Sequence, residues 1–233
     1  MSVKRPDPAA GVFETLLLRG SRVHALEGHL DRLERSATEL YEVSLPSRSK
    51  TRVVDALVDR ARLLPGEQRA RIDVVPSDGR LKLSLAITEV PARRPVTLKP
   101  IVVPGGLGAH KWRDRRLIEG NGRHPVQLIV DADGSMLEAA WANVWMLDGD
   151  ELITPPLDGR ILPGVTRARL IELAPSLGLT VREEPIQLTD ARAAGTLFLT
   201  SSLRLAVPAA FSARPRDDNR VDEIRAALLS AAC

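Results

Sequence analysis

Stretches where apolar residues crowd or alternate give way along this chain to stretches where they recur at helical spacing. Val12 to Arg19 reads as a strand running into the turn Arg19-Gly20-Ser21-Arg22, with Val23 to Leu26 as the returning partner of a hairpin. From His29 to Tyr41 the period becomes helical: Leu30, Leu33, Ala37 and Leu40 share one face and Asp31, Arg35 and Glu39 the other. A second helix is predicted over Ser49 to Leu63, with Val53, Ala56, Leu57 and Ala61 on its stripe, ended by Pro65-Gly66. Ala70 to Val75 and Leu81 to Thr88 then read as two strands around Pro76-Ser77-Asp78-Gly79. The order strand, strand, helix, helix, strand, strand defines an α+β unit that closes in the proline-rich run Pro91 to Pro100.

Beyond Pro104-Gly105-Gly106 the texture changes. A cationic patch covers His110 to Arg116. Strands are predicted at Val126 to Asp131, after an Asp133-Gly134 turn at Met136 to Leu147, and at Glu151 to Thr154. Pro163-Gly164-Val165-Thr166 opens a helix expected to reach Leu177 and stop at Gly178. Leu179 to Arg182 and Thr196 to Thr200 read as strands flanking a short capped segment from Thr189, and Val221 to Ala232 as a terminal helix. The expected division is residues 1–104, an α+β domain, and 105–233, a second domain that carries the chemistry.

Composition narrows the function classes. With 233 residues, 44% hydrophobic and 27% charged, the chain reads as a soluble globular protein of one large or two small domains. No run approaches the length of a membrane span, and the polar start Met1 to Ala10 lacks the apolar core of a secretory signal. Cys233 is the single cysteine, which excludes an internal disulfide framework or a cysteine metal cage and fits a cytoplasmic setting. No metal site is expected. The net charge is only +3, and acidic residues interleave with the basic ones. The few aromatics do not alternate with arginines, so the footprint of a nucleic-acid binder is absent. Surplus arginine suits a small carboxylate substrate better.

Lys111 is the only lysine after residue 100, in a half otherwise charged by arginine. Lysine can form a Schiff base when burial or cationic neighbours favour its free amine; arginine cannot. Arg113, Arg115 and Arg116 are candidate neighbours, although a surface lysine in a basic patch accounts for the position equally well. Glu138 lies among apolar residues in Leu137-Glu-Ala-Ala-Trp-Ala-Asn-Val-Trp145, where a buried carboxylate needs a cation or donor; a solvent-facing hairpin glutamate is the alternative. Asn143 reads as a turn-stabilising amide. Pro163 to Arg167 runs into a helix N-terminus whose free N–H groups make a phosphate seat or simply a capped helix. Thr200-Ser201-Ser202 offers three hydroxyls at a strand end, a phosphate contact or simply a polar turn, and Arg32 flanks the apolar stripe of the first helix, where it can reach inward to a phosphate, although a solvated helix arginine is the default.

Taken in order, Gly11-Val-Phe-Glu-Thr15, His29-Leu-x-Arg-Leu33, Lys111, Leu137-Glu138 with Asn143, Leu162-Pro-Gly-Val-Thr-Arg167 and Thr200-Ser-Ser-Leu-Arg204 resemble the fold-type IV pyridoxal-phosphate enzymes. That family contains branched-chain and D-amino-acid aminotransferases and aminodeoxychorismate lyases. The resemblance spans residues 11 to 210. It implies a small N-terminal α/β sandwich and a larger C-terminal β-barrel-like domain with helices, the cofactor in the cleft between them, and a homodimer. It implies pyridoxal 5'-phosphate as cofactor, with Lys111 as the Schiff-base lysine and proton shuttle. Glu138 matches the carboxylate that pairs with the pyridine nitrogen and keeps it protonated, so that the ring accepts electrons. Arg32, Val165, Thr166, Ser202 and Ser201 match the phosphate contacts.

Within the family, Ala142-Asn143, Ser201-Ser-Leu-Arg204 and Lys111-x-x-Asp-Arg115 are similar to runs in the aminodeoxychorismate lyases. This reading implies elimination of pyruvate from 4-amino-4-deoxychorismate to give 4-aminobenzoate for folate biosynthesis, with Arg115 and Arg204 taking the substrate carboxylates. A class IV aminotransferase acting on branched-chain or D-amino acids is the alternative, and an inactive cofactor-binding partner subunit a third. Two departures stand out. Family members begin with an extra strand before the Gly-Val-Phe-Glu segment, which implies a truncated first strand here or descent from a longer fusion. The stretch from Lys111 to Glu138 is short, and Trp141 stands where a small residue is usual, either narrowing the substrate pocket or packing.

Overall fold

The structure, a computed structural model, describes residues 5–63, 66–118, 125–193, 196–211 and 218–231. Cys233 and the first four residues lie outside the described residues. The chain divides into two units: Pro6–Pro91 with His110–Arg115, and Ala92–Ala109 with Arg116–Ala231.

The first unit is built on strands β1 (Val12–Arg19), β2 (Arg22–Val23), β3 (Glu67–Ser77) and β4 (Arg80–Glu89), in the order β2-β1-β3-β4 and antiparallel throughout. Gly20 and Ser21 both adopt positive φ (55° and 68°), the backbone that a tight two-residue hairpin requires. Helices α1 (Leu26–Tyr41) and α2 (Ser47–Leu63) lie against one face of the sheet. Leu30, Leu33 and Ala37 of α1 and Leu57 and Ala61 of α2 bury their stripes against Val12, Leu16, Leu18, Ile72 and Val74.

The second unit contains β5 (Val96–Val102), β6 (Val126–Val130), β7 (Ser135–Ala139), β8 (Ala142–Asp148), β9 (Glu151–Thr154), α3 (Val165–Leu173), β10 (Thr180–Glu183), β11 (Ile186–Gln187), α4 (Leu188–Ala193), β12 (Thr196–Ser201), β13 (Leu205–Ala210) and α5 (Asn219–Ser230). They form one sheet in the order β10-β9-β8-β12-β13-β5-β6-β7-β11, and β7 also pairs with β8. That extra pairing closes β8-β12-β13-β5-β6-β7 into a barrel filled by Leu98, Leu128, Val130, Val144, Leu199 and Val207. The α+β class with a small sandwich and a barrel-like second unit is the expected one. Among the described residues no helix is long and apolar enough to cross a membrane, and no cluster of metal-ligating side chains occurs.

Three details differ from the sequence reading. The proline-rich run contains β5, which tolerates Pro100 because β13 pairs only with Val96 and Thr97, leaving the Pro100 stretch with β6 alone. α3 ends at Leu173 and continues to Leu177 as a tighter turn, since Pro175 has no N–H to extend the helix. The division between units falls after Pro91 rather than near Pro104, and Lys111 groups with the first unit. The reason is backbone pairing. Phe13 N–H donates to the Lys111 carbonyl (2.9 Å), Arg113 N–H to the Gly11 carbonyl (3.0 Å), and Val12 bridges Trp112. Gly11, at φ 92°, lies so close to β3 that a Cβ there would collide with the Val74 carbonyl.

Candidate active site

In the first unit, the backbone pairing that holds Lys111 beside β1 places its Nζ 5.1 Å from the centroid of the buried Phe13 ring. Arg115 lies over the same ring at 5.6 Å and Arg71 at 3.9 Å. Lys111 therefore sits in a cationic setting, through Arg115 as the patch implied and through Arg71, which the patch does not contain. Arg113 is neutralised: its Nε donates to Asp73 (2.8 Å) and its Nη1 to the Ala10 carbonyl (2.7 Å). Arg71 also engages Asp73.

Arg32 is on the inner face of α1, one helical turn after His29, and both meet Glu14 of β1. All three are at most 5% exposed. Arg32 donates Nε to Glu14 Oε1 and Nη2 to Oε2, each at 2.7 Å, and His29 Nδ1 lies 2.8 Å from Oε2. Burial alone would raise the Glu14 carboxyl, but the charges and hydrogen bonds of Arg32 and His29 hold it far below the carboxylate range. Burial pushes His29 below its usual value; Glu14 opposes this, while Arg32 and Lys111 add to it. The imidazole is thus neutral at pH 7, with Nδ1–H donating to the carboxylate. Two nitrogens of Arg32, Nε and Nη2, are committed to Glu14.

In the second unit, Glu138 on β7, Asn143 on β8 and Thr200 on β12 face one another in cross-strand register. All are nearly inaccessible to solvent. Glu138 Oε2 accepts the Leu162 N–H (3.2 Å), and Asn143 Nδ2 donates to the Leu162 carbonyl (2.9 Å). Asn143 is therefore not a turn amide; it fixes the segment that leads into α3. Val165 and Thr166 open α3 after Gly164, whose glycine supplies no side-chain cap, so the first amides meet no capping oxygen from that position. Thr200 Oγ1 accepts the indole N–H of Trp145 (2.9 Å), which ties that hydroxyl into the packing. Ser201 Oγ accepts the Arg204 N–H (3.4 Å), and Ser202 is half-buried in the turn between β12 and β13. Arg204 lies over Trp141, with Cζ 4.3 Å from the ring centroid, so Trp141 carries a guanidinium as well as packing on the barrel. Burial pushes Arg204 below its usual value, though a guanidinium stays charged at neutral pH. Among the described residues it has no carboxylate partner.

Taken unit by unit, the groups present are of the kinds pyridoxal phosphate could use: an amine and a guanidinium, Lys111 and Arg32, in the first unit, and a buried carboxylate, Glu138, with the α3 N-terminus in the second. Glu14 and His29 stood in the quoted motifs without a role, although a glutamate inside an apolar strand and His-x-x-Arg on a helix face were signals for one. The sequence reading missed that Glu138 and Asn143 grip a single residue.

Residues 126–210 match the Amino-transferase class IV family. An aminodeoxychorismate lyase of Bacillus subtilis is 25% identical over 222 residues, covering 85% of this chain and 76% of that protein. A D-alanine aminotransferase of Listeria monocytogenes is 26% identical over 220 residues, 82% of this chain and 74% of that protein. A Thermotoga maritima protein assigned to the branched-chain-amino-acid aminotransferases is 35% identical over 81 residues; that match covers 35% of this chain and less than a third, 30%, of the relative. Among solved structures, the PLP-bound form of a hypothetical aminotransferase from Mycobacterium tuberculosis superposes with a TM-score of 0.84 at 22% identity, covering 100% of this chain and 94% of that one. Residues 126–210, the β6–β13 region, are thus similar to the class IV aminotransferase family, and the chain has the fold-type IV architecture of its structural neighbours.

Proposed function

We propose that the protein is a pyridoxal-phosphate-dependent 4-amino-4-deoxychorismate lyase that releases pyruvate and forms 4-aminobenzoate, a folate precursor, as a cytoplasmic homodimer. The observation that carries the substrate choice is Arg204, a half-buried guanidinium held on Trp141 without an acidic partner among the described residues. A cation in that state is suited to a substrate carboxylate. The substrate has two carboxylates, and Arg115, on the Phe13 ring with Lys111, is the candidate for the other. The match to the B. subtilis lyase over most of both chains supports the same reading.

Bound pyridoxal phosphate supplies an aldehyde for the amine and a ring that accepts an electron pair. Lys111 would hold the cofactor through its amine and would take the proton from the amine-bearing carbon of the substrate. Glu138, fixed by the Leu162 N–H, would keep a proton on the pyridine nitrogen. Arg32, the Val165 and Thr166 amides, Ser202 and Ser201 would hold the phosphate. Loss of that proton and cleavage of the ether bond would make the carbocycle aromatic, and the proton taken by Lys111 would go to the departing enolpyruvate, which leaves as pyruvate. No amino acceptor enters the balance. The D-alanine aminotransferase match, of similar length and identity, favours the second reading, transfer of an amino group to a keto acid. Incubating the purified protein with enzymatically made aminodeoxychorismate separates them. Equal amounts of 4-aminobenzoate and pyruvate with no added keto-acid acceptor support the lyase; turnover seen only with an added amino acid and keto acid supports the aminotransferase.

A further inference from the structure

Leu162 has both of its backbone polar groups held by side chains from adjacent strands. Glu138 of β7 accepts its N–H and Asn143 of β8 donates to its carbonyl. A carbonyl only accepts, so the nitrogen end of the Asn143 amide faces it. The oxygen end lies against Gly164, where any Cβ would collide with Asn143 Oδ1. Gly164 has φ −69° and ψ 129°, a backbone open to any residue, so this position is glycine for want of space and not for conformation. α3 begins at Val165, immediately after Gly164. Asn143 is 4% exposed and in direct register with Glu138.

We propose that Asn143 is a positioning residue for the cofactor: through Leu162 and Gly164 it fixes the α3 N-terminus and the Glu138 carboxylate in one rigid relation. The two cofactor ends are then gauged against each other by a single buried amide. The inference rests on the reading that Glu138 meets the pyridine nitrogen and the α3 amides meet the phosphate.

The measured quantity is the ratio of the dissociation constants of pyridoxal and pyridoxal phosphate, which isolates the phosphate contribution and cancels general losses of fit. Asn143→Asp keeps the shape but loses the donor to Leu162, and Asn143→Ala removes both contacts. Each should lower phosphate discrimination about tenfold or more, in the range for a buried carbonyl left unpaired. Gly164→Ala should do the same, because its methyl pushes the amide aside. In the Asn143→Ala background Gly164→Ala should add little, and melting of the apoprotein confirms that each variant folds. Additive losses in that cycle overturn the inference. Val165→Pro tests the underlying reading: proline is tolerated at the first helical position, follows an extended Gly164 without strain and deletes one amide donor. If Val165→Pro lowers the ratio while both Asn143 variants keep it, Asn143 does not position the cofactor although the phosphate seat stands. If Val165→Pro also keeps it, the seat lies elsewhere and the inference falls with it.

Discussion

Arg32 grips Glu14 with two parallel hydrogen bonds, Nε to Oε1 and Nη2 to Oε2, both 2.7 Å long and sealed from solvent. This bidentate pair orients the guanidinium before any ligand arrives, which lowers the cost of ordering it on binding. Arg32→Ala should therefore weaken pyridoxal phosphate much more than unphosphorylated pyridoxal, by a factor of about ten or more for a charge-assisted hydrogen bond. Equilibrium titration with both compounds measures this. Equal weakening would mean that Arg32 serves only to neutralise Glu14.

The same cluster makes stability fall on acidification. His29 has a folded value below its ordinary 6.5, so the unfolded chain binds the proton first and stability declines as pH drops through that value. Glu14, also depressed when folded, adds a second decline below its ordinary 4.5. Urea unfolding between pH 7 and pH 5 should show the first decline in the wild type and a smaller one in His29→Asn, which keeps a donor near the Nδ1 position but does not titrate. His110 is also lowered, mainly by burial against the pull of Glu39, so the informative quantity is the difference between the two proteins. Parallel curves would remove His29 as a source of the slope.

Glu138→Gln retains an oxygen for the Leu162 N–H and removes only the negative charge. Cofactor affinity should fall modestly, while turnover falls by about two orders of magnitude or more because the ring loses its electron-accepting character. Steady-state kinetics with a cofactor titration separates the two effects. Wild-type turnover in this variant would mean that Glu138 is not the partner of the ring nitrogen.

Arg204→Gln should raise KM for the carboxylate substrate about ten- to a hundredfold with a smaller change in kcat, as expected for loss of a ground-state ion pair. Trp141→Leu should raise KM by less, since it removes the platform and leaves the cation. Unchanged KM in both variants would move the substrate carboxylates to other residues.

The parts of this molecule legible in its sequence are those fixed by local chemistry. β1 and β9 have the bounds their apolar runs suggest, and α1 follows its stripe of Leu30, Leu33 and Ala37. β5 and β13 were not legible, because prolines at 100 and 208 argue locally against strands that only their partners in the barrel make stable, the parallel β6 for β5 and the antiparallel β12 for β13. Lys111 and Glu138 stood out as solitary residues of their kind. The groups that hold them did not, because their spacing is non-local: Glu14 meets Arg32 across 18 positions and Asn143 meets Leu162 across 19. Side chains that position other side chains leave no periodic trace.

The central claim is that Lys111 carries the cofactor, and covalent trapping tests it most directly. The purified protein should bind pyridoxal phosphate with a visible absorption band, and borohydride reduction followed by peptide mapping should place the label on Lys111. Lys111→Arg should keep the charge beside Phe13 and lose the label, since a guanidinium does not react as an amine. A label on any of the other four lysines, or a protein that takes up no pyridoxal phosphate, would contradict the account.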